Sequence, residues 1–152
     1  MNIDVKILLC EHYDQSLPLP KYETNGSAGM DIRACFPHKD QLTIDPYERV
    51  LIPTGLKFAI PEGYEMQVRP RSGLSLKTGL LVTNSPGTID SDYRGELQII
   101  IGNLGENHEI IRHGDRIAQI LFAPVIRANL QVVSELGETA RGSGGFGSTG
   151  IK

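Results

Sequence analysis

The sequence contains no tryptophan, only two cysteines, no long apolar run and no surplus of positive charge, and each shortage excludes something. With 18 acidic against 15 basic residues the net charge is −3, so no global positive field exists to hold a nucleic-acid backbone; a polyanionic ligand needs locally clustered arginines. No apolar run reaches the length that spans a bilayer, and no secretory leader is legible at the start, so neither membrane nor export is expected. Cys10 and Cys35 are too few for a disulfide scaffold. They read as two small apolar side chains in or near strands in a reducing cytoplasm, although an oxidising compartment would let them pair. Stretches of helical period are missing too, which leaves little room for long helices.

What is abundant is punctuation. Seventeen glycines and 9 prolines in 152 residues describe a chain that turns often, of a length suited to one domain. Strand-like runs fall at residues 4–9, 30–34, 41–44, 49–52, 56–60 and 64–68, with turn formers in each gap, and Leu17-Pro18-Leu19-Pro20 forbids regular structure between the first two. A short helix is predicted over 72–77, with Ser72 near its start and Gly79 after its end meeting both capping preferences. Residues 110–111, 116–122 and 130–133 supply the last strands, and Pro124 marks an end or an edge. Short strands at near-regular spacing predict an all-β barrel or sandwich.

Chemistry concentrates in a few stretches. Asn84-Ser85-Pro86-Gly87 packs four turn formers between the apolar runs 80–82 and 97–101, which predicts a β-hairpin whose tip exposes backbone groups able to read the edge of a small planar ligand. Asp90, Asp92, Tyr93 and Arg94 follow it with acid, ring and cation; the plainer reading is a polar surface loop. Arg69-Pro70-Arg71-Ser72-Gly73-Leu74 sets two arginines beside the helix start, where free amides favour an anion, against the alternative of a solvated basic turn. Gly114-Asp115-Arg116-Ile117-Ala118-Gln119 puts Arg116, Ala118 and Ile120 on one strand face and Gln119 on the other. In Ala28-Gly29-Met30-Asp31 the carboxylate either orients an arginine or a metal-bound water, or closes an Asx turn.

Two superficial matches fail. His108-Glu109-Ile110-Ile111-Arg112-His113 has its histidines five apart in a strand-like segment, so they do not share a face for one zinc ion. Gly142-x-Gly144-x-x-Gly147 lacks the preceding strand and following helix of a dinucleotide site, and no lysine follows it to make a P-loop. From Glu138 onward no core can be built; a flexible tail is the simple reading, yet Arg141 and Phe146 give it a cation and a lone ring.

Taken in order, these stretches resemble the five motifs of the trimeric dUTPase family. Ala28-Gly29-Met30-Asp31-Ile32-Arg33-Ala34 is similar to the first and Arg69-Pro70-Arg71-Ser72-Gly73-Leu74 to the second. Gly87-Thr88-Ile89-Asp90-Ser91-Asp92-Tyr93-Arg94-Gly95 matches the third, Gly114-Asp115-Arg116-Ile117-Ala118-Gln119 the fourth and Arg141-Gly142-Ser143-Gly144-Gly145-Phe146-Gly147 the fifth.

The resemblance implies a jelly-roll-like, distorted β-barrel over residues 1–137, with a Gly-rich arm over 138–152 that closes the site. It implies a cytoplasmic homotrimer with shared active sites that uses Mg²⁺ to hydrolyse dUTP to dUMP and pyrophosphate, with no nucleic-acid or membrane partner. By the family's pattern Asp90 holds and polarises the attacking water. Arg71, Ser72, Gly73 and Gln119 hold the phosphates, and Arg141 reaches the γ end. Asn84 and the backbone at Gly87 pair with uracil, Tyr93 packs under the deoxyribose, and Phe146 stacks over the base. The substrate phosphates hold Mg²⁺ with no direct protein ligand, and Asp31 supports it through water. An aspartate is ionised at neutral pH but weakly basic, which suits orienting water and taking its proton as bonding begins. A nucleotide-sensing module without chemistry and a dCTP deaminase of related fold are the competing readings.

Overall fold

Turn formers cut this chain into pieces of three to nine residues, each able to contribute only a few side chains to a core. The computed structural model, which describes residues 2–145, arranges them as eleven strands and one helix. In chain order these are β1 (Lys6–Leu9), β2 (Met30–Arg33), β3 (Gln41–Ile44), β4 (Arg49–Pro53), β5 (Leu56–Ala59), β6 (Tyr64–Arg69), α1 (Ser72–Lys77), β7 (Leu80–Val82), β8 (Gly87–Ile89), β9 (Gln98–Asn103), β10 (Glu109–Arg112) and β11 (Arg116–Pro124). Every pairing is antiparallel. The ladders form four sheets, β1-β5, β10-β3, β2-β11-β6-β8 and β4-β9-β7, in a jelly-roll-like arrangement. Among the described residues no helix is long and apolar enough to cross a membrane.

Alternation builds the core. Every second residue points inward, so Leu56 and Phe58 of β5, Met66 and Val68 of β6, Leu80 and Val82 of β7 and Ile99 and Ile101 of β9 meet in one buried cluster. Full burial of such a side chain stabilises the fold by roughly 1.5–3 kcal/mol, which offsets the entropy of so many ordered turns.

Four expectations change. The 80–82 and 97–101 runs do pair, Val82 opposite Ile101, but not as a tight hairpin. The intervening chain leaves the β4-β9-β7 sheet, and its middle becomes β8, paired with β6 through Gly87 opposite Val68. In β11 a bulge between Arg116 and Ala118 breaks the simple alternation, so Ile117 and Ala118 are both buried while Arg116 is exposed. The N-cap of α1 is Arg71 and makes no side-chain cap bond. Ser72 is the first helical residue, and Thr78 forms the C-cap in extended conformation. Gly79 serves close packing instead: a Cβ there would lie 2.3 Å from Asn103 Oδ1 and 2.4 Å from the Gly105 nitrogen. Residues 130–133 are not a strand: β11 ends at Pro124, and among the described residues nothing beyond it joins a sheet.

One polar cluster ties three connections together just before β11. Asp14 Oδ1 accepts the Ser16 N–H at 2.9 Å, and its Oδ2 accepts from Lys39 Nζ at 2.8 Å and His113 Nε2 at 3.1 Å. The Phe36 N–H donates to His113 Nδ1 at 3.1 Å, so the imidazole proton sits on Nε2 and points at Asp14. His113 precedes Gly114, whose left-handed φ of +84° turns the chain into β11. The Lys39 hydrogen bond, then the Ser16 N–H, hold the Asp14 carboxyl well below the usual carboxylate range. A depressed folded-state pKa stabilises the fold above the unfolded value near 4 and is lost as pH falls below it. Asp14→Asn is therefore expected to lower Tm at pH 7, with the difference from wild type shrinking progressively as pH falls from about 4 toward 2. Thermal unfolding across that range checks it; a constant difference contradicts the assignment.

Candidate functional site

The register of β11 creates the charged half of the site. Gln119 lies opposite Asp31 on β2 and opposite Arg69 on β6, so one strand brings the ends of both neighbours together. Asp31 Oδ1 accepts from Arg71 Nε at 2.7 Å, and Oδ2 accepts from Arg116 Nη1 at 3.1 Å. Arg71 Nη1 also donates to the Arg116 carbonyl at 3.2 Å. A guanidinium carries five N–H donors, so these contacts orient both planes without exhausting them. Gln119 Nε2 donates to the Pro70 carbonyl at 2.8 Å, which leaves its Oε1 turned toward Gly29. A Cβ at Gly29 would stand 2.6 Å from that oxygen, so the residue before Met30 has to be glycine for the amide to sit there.

Ser72 and Gly73 open α1 and are exposed, and a Cβ on Gly73 would meet nothing within 4 Å. Packing within the chain thus makes no demand for glycine at this point, and the bare backbone is open to an outside group. The sequence singled out Arg71, Ser72, Gly73, Gln119 and Asp31. It gave little weight to Arg116, and its only signal there was an arginine two positions beyond the glycine turn.

The 83–97 excursion builds the other half. Ser85 N–H donates to the Val82 carbonyl at 3.2 Å, the Ser85–Pro86 peptide is cis, and Gly87 then enters β8. Gly87 is buried, and a Cβ on it would lie 3.1 Å from Asn84 Nδ2, so the Asn84 amide is folded over the glycine as a pair. Asn84 lines an open groove of about 570 Å³ with Arg49, Val50, Leu51, Thr83 and Ile100. Asp90 follows β8 and lines a separate cleft of about 380 Å³ with Glu65, Thr88, Ser91, Asp92 and Arg127 among others. The turn beyond it is closed by Tyr93 N–H to the Asp90 carbonyl at 3.2 Å and by Arg94 Nη1 to the Ser91 carbonyl at 2.7 Å. Tyr93 remains 46% exposed, with its ring over Gly95 and its hydroxyl donating to the Glu96 carbonyl at 3.0 Å.

The expected residues thus gather in separate places on one chain. Arg71 and Arg116 border a third cavity, of about 310 Å³, whose lining includes neither Asn84 nor Asp90. Arg141 lies in the tail, where its Nε donates to the Gly144 carbonyl at 2.9 Å; Phe146 is outside the described residues. Among the described residues no three His, Cys, Asp or Glu side chains are grouped to hold a metal ion. Asp31 fits outer-sphere support of one: a carboxylate has about four acceptor positions, the arginines use two, and the side chain is 22% exposed.

A sequence model of the dUTPase family matches residues 15–150. The deoxyuridine 5'-triphosphate nucleotidohydrolase of Roseobacter denitrificans is 54% identical over 148 residues, covering 97% of each chain. That of Desulfotalea psychrophila is 58% identical over 137 residues, 90% of each. Among solved structures, a mutant dUTPase of Staphylococcus bacteriophage 80alpha with dUpNHpp superposes with a TM-score of 0.81 at 26% identity, covering 99% of this chain and 100% of that one. A mutant dUTPase from phage phi11 of S. aureus, described with a structural Mg(II) ion, gives 0.76 at 25% identity over 90% of this chain and 100% of that one. With its motifs, its fold and its relatives in agreement over almost its whole length, the chain belongs to the dUTPase family.

Proposed function

We propose that this protein hydrolyses dUTP to dUMP and pyrophosphate, which keeps dUTP low, prevents uracil incorporation into DNA and supplies dUMP for thymidylate synthesis. The observation that carries the reading is the Asp31 clamp on Arg71 and Arg116 beside Gln119, a preorganised set of donors for a phosphate chain in a protein 54% identical to a named relative.

Arg71, Ser72, Gly73 and Gln119 hold the phosphates, and Arg141 reaches the γ end from the tail. The paired Asn84 and Gly87 read the uracil edge in a space too tight for a thymine methyl. Cytosine offers a donor where the loop offers one, leaving buried groups unpaired, which discriminates strongly. Tyr93 packs under the deoxyribose where a 2′-hydroxyl would clash, and Phe146 covers the base. Asp90 orients a water against the α-phosphate. As the new P–O bond forms, the bond to the β-phosphate breaks, the proton passes to Asp90 and pyrophosphate leaves. Asp31 would support Mg²⁺ from the outer sphere, and a bound Mg²⁺ would supply charge neutralisation for the leaving pyrophosphate.

The working form is a homotrimer with shared sites in the cytoplasm, with residues 1–137 as catalytic body and 138–152 as closing arm. Three separate cavities on one chain support that reading, since a triphosphate site drawing on all of them needs surfaces from neighbouring copies. So do Ile126, Leu130, Val132 and Leu136, each at least 87% exposed on the segment beyond β11.

Asp90→Asn is expected to bind dUTP within a few-fold of wild type by calorimetry while pyrophosphate release with Mg²⁺ falls by about 10²–10⁴-fold. Turnover near the wild-type rate removes Asp90 from the mechanism. Deleting residues 141–152 should leave Tm and assembly state unchanged yet cut kcat/KM on dUTP by about 100-fold. Sedimentation and kinetics together check this, and loss of the folded assembly contradicts the role of the tail as an arm.

A further inference from the structure

The loop carrying Asp90 and Tyr93 is shaped by its own bonds, but those bonds do not attach it to the body of the protein. β8, paired with β6, anchors the loop at its Asp90 end, and the anchor of its Tyr93 end lies at Glu96. One carboxylate oxygen, Oε1, accepts the Gly55 N–H at 2.7 Å, the Thr54 N–H at 3.1 Å and His12 Nε2 at 3.2 Å. The Glu96 side chain is 18% exposed, so water competes little for these charge-assisted bonds. The receiving turn is itself rigid. Gly55 has φ +69° and leaves no room for a Cβ, which would stand 2.9 Å from Tyr13 Cδ2 and 3.2 Å from Cys35 Sγ. Leu97 continues the contact, its N–H donating to the Leu56 carbonyl at 2.8 Å and its carbonyl accepting from Thr54 Oγ1.

The same residue holds Tyr93 through its main chain. The Glu96 carbonyl accepts the Tyr93 hydroxyl at 3.0 Å, and the ring lies so close over Gly95 that a Cβ there would meet the hydroxyl oxygen at 2.2 Å. Ring position is therefore set by a bare glycine below and by one carbonyl whose own place depends on the carboxylate clamp.

We propose that Glu96 is a positioning residue for Tyr93, and that its grip on the Thr54–Gly55 turn sets how strongly the site discriminates dUTP from UTP. This rests on the reading of Tyr93 as the residue under the sugar. An altered clamp lets the ring drop away and admits the 2′-hydroxyl, whereas Asp90, six positions before the clamp and next to β8, keeps its own turn.

The test compares kcat/KM for dUTP and for UTP in wild type and in Glu96→Ala, Glu96→Gln, Tyr93→Phe, Tyr93→Ala and the Glu96→Ala/Tyr93→Ala pair. Glu96→Ala is expected to lower the dUTP:UTP ratio about three- to tenfold, chiefly through KM. Glu96→Gln, whose amide oxygen still accepts from both backbone N–H groups, should stay within about threefold of wild type. Tyr93→Phe leaves the clamp intact but removes the hydroxyl bond, and should lower the ratio also; it decides the matter if Glu96→Ala fails to fold. The double variant should discriminate no worse than Tyr93→Ala alone. A ratio unchanged in Glu96→Ala or in Tyr93→Phe while Tyr93→Ala loses discrimination overturns the proposal, as does simple additivity in the pair. An unchanged ratio in Tyr93→Ala rejects the sugar role itself, and wild-type protein that turns over neither nucleotide rejects the dUTPase reading.

Discussion

Two guanidinium groups repel when brought side by side, and Asp31 is what lets Arg71 and Arg116 stand together at the junction of β2, β6 and β11. Each oxygen takes one arginine, so the anion fixes both planes and cancels one of the two positive charges. These three groups together keep one net positive charge, in a chain whose overall charge is −3. A charge so placed attracts a polyphosphate locally without the broad field that would attract nucleic acid. The strand register makes this possible. β11 is paired on both sides, so Asp31, Gln119 and Arg69 are opposed residues across three strands and cannot drift apart without breaking two ladders.

The remaining parts of the site depend on the chain changing sheets. β7 belongs with β9 and β8 with β6, and the crossing occurs within Thr83, Asn84, Ser85 and Pro86. Had these strands closed a simple hairpin, Asn84 would have stood at its tip, away from β6. Instead Gly87 is drawn against Val68, and the Asn84 amide lies over it. At position 87 a side chain would crowd that amide, which favours glycine in the strand there.

Much of the fold was legible because its strands are short and closed by glycine or proline. The runs at 41–44 and the helix at 72–77 coincide with β3 and α1, and five other early strands differ from prediction only at their ends. What escaped was long-range. β8 has three residues and sits inside a turn signal, so only its partner β6 reveals it as a strand. The bulge in β11 is equally silent, because Ile117 and Ala118 are both apolar and either could take the inward position. Residues 130–133 have strand composition but no partner within the chain, and composition cannot supply one. Of the site, the residue types Asp31, Arg71, Gln119 and Asn84 were readable from motif order. The sharing of Asp31 with Arg116 was not, since it follows from register alone.

The distribution of rigid and open parts also bears on how the proposed chemistry is divided. Arg71, Gln119 and Asp31 are half-buried, with Arg71 bonded to Asp31 and Gln119 to the Pro70 carbonyl, so the side chains are fixed before any ligand arrives and little reorganisation is needed on binding. Asp90 is exposed, on a loop stiffened by the Tyr93 and Arg94 bonds. An exposed carboxylate in water of high dielectric is a poor base and a weak electrostatic element. In the role proposed for it, its value rises only when the cleft is closed and water is reduced to the attacking molecule, which is the physical reason the proposed chemistry calls for an arm over the substrate.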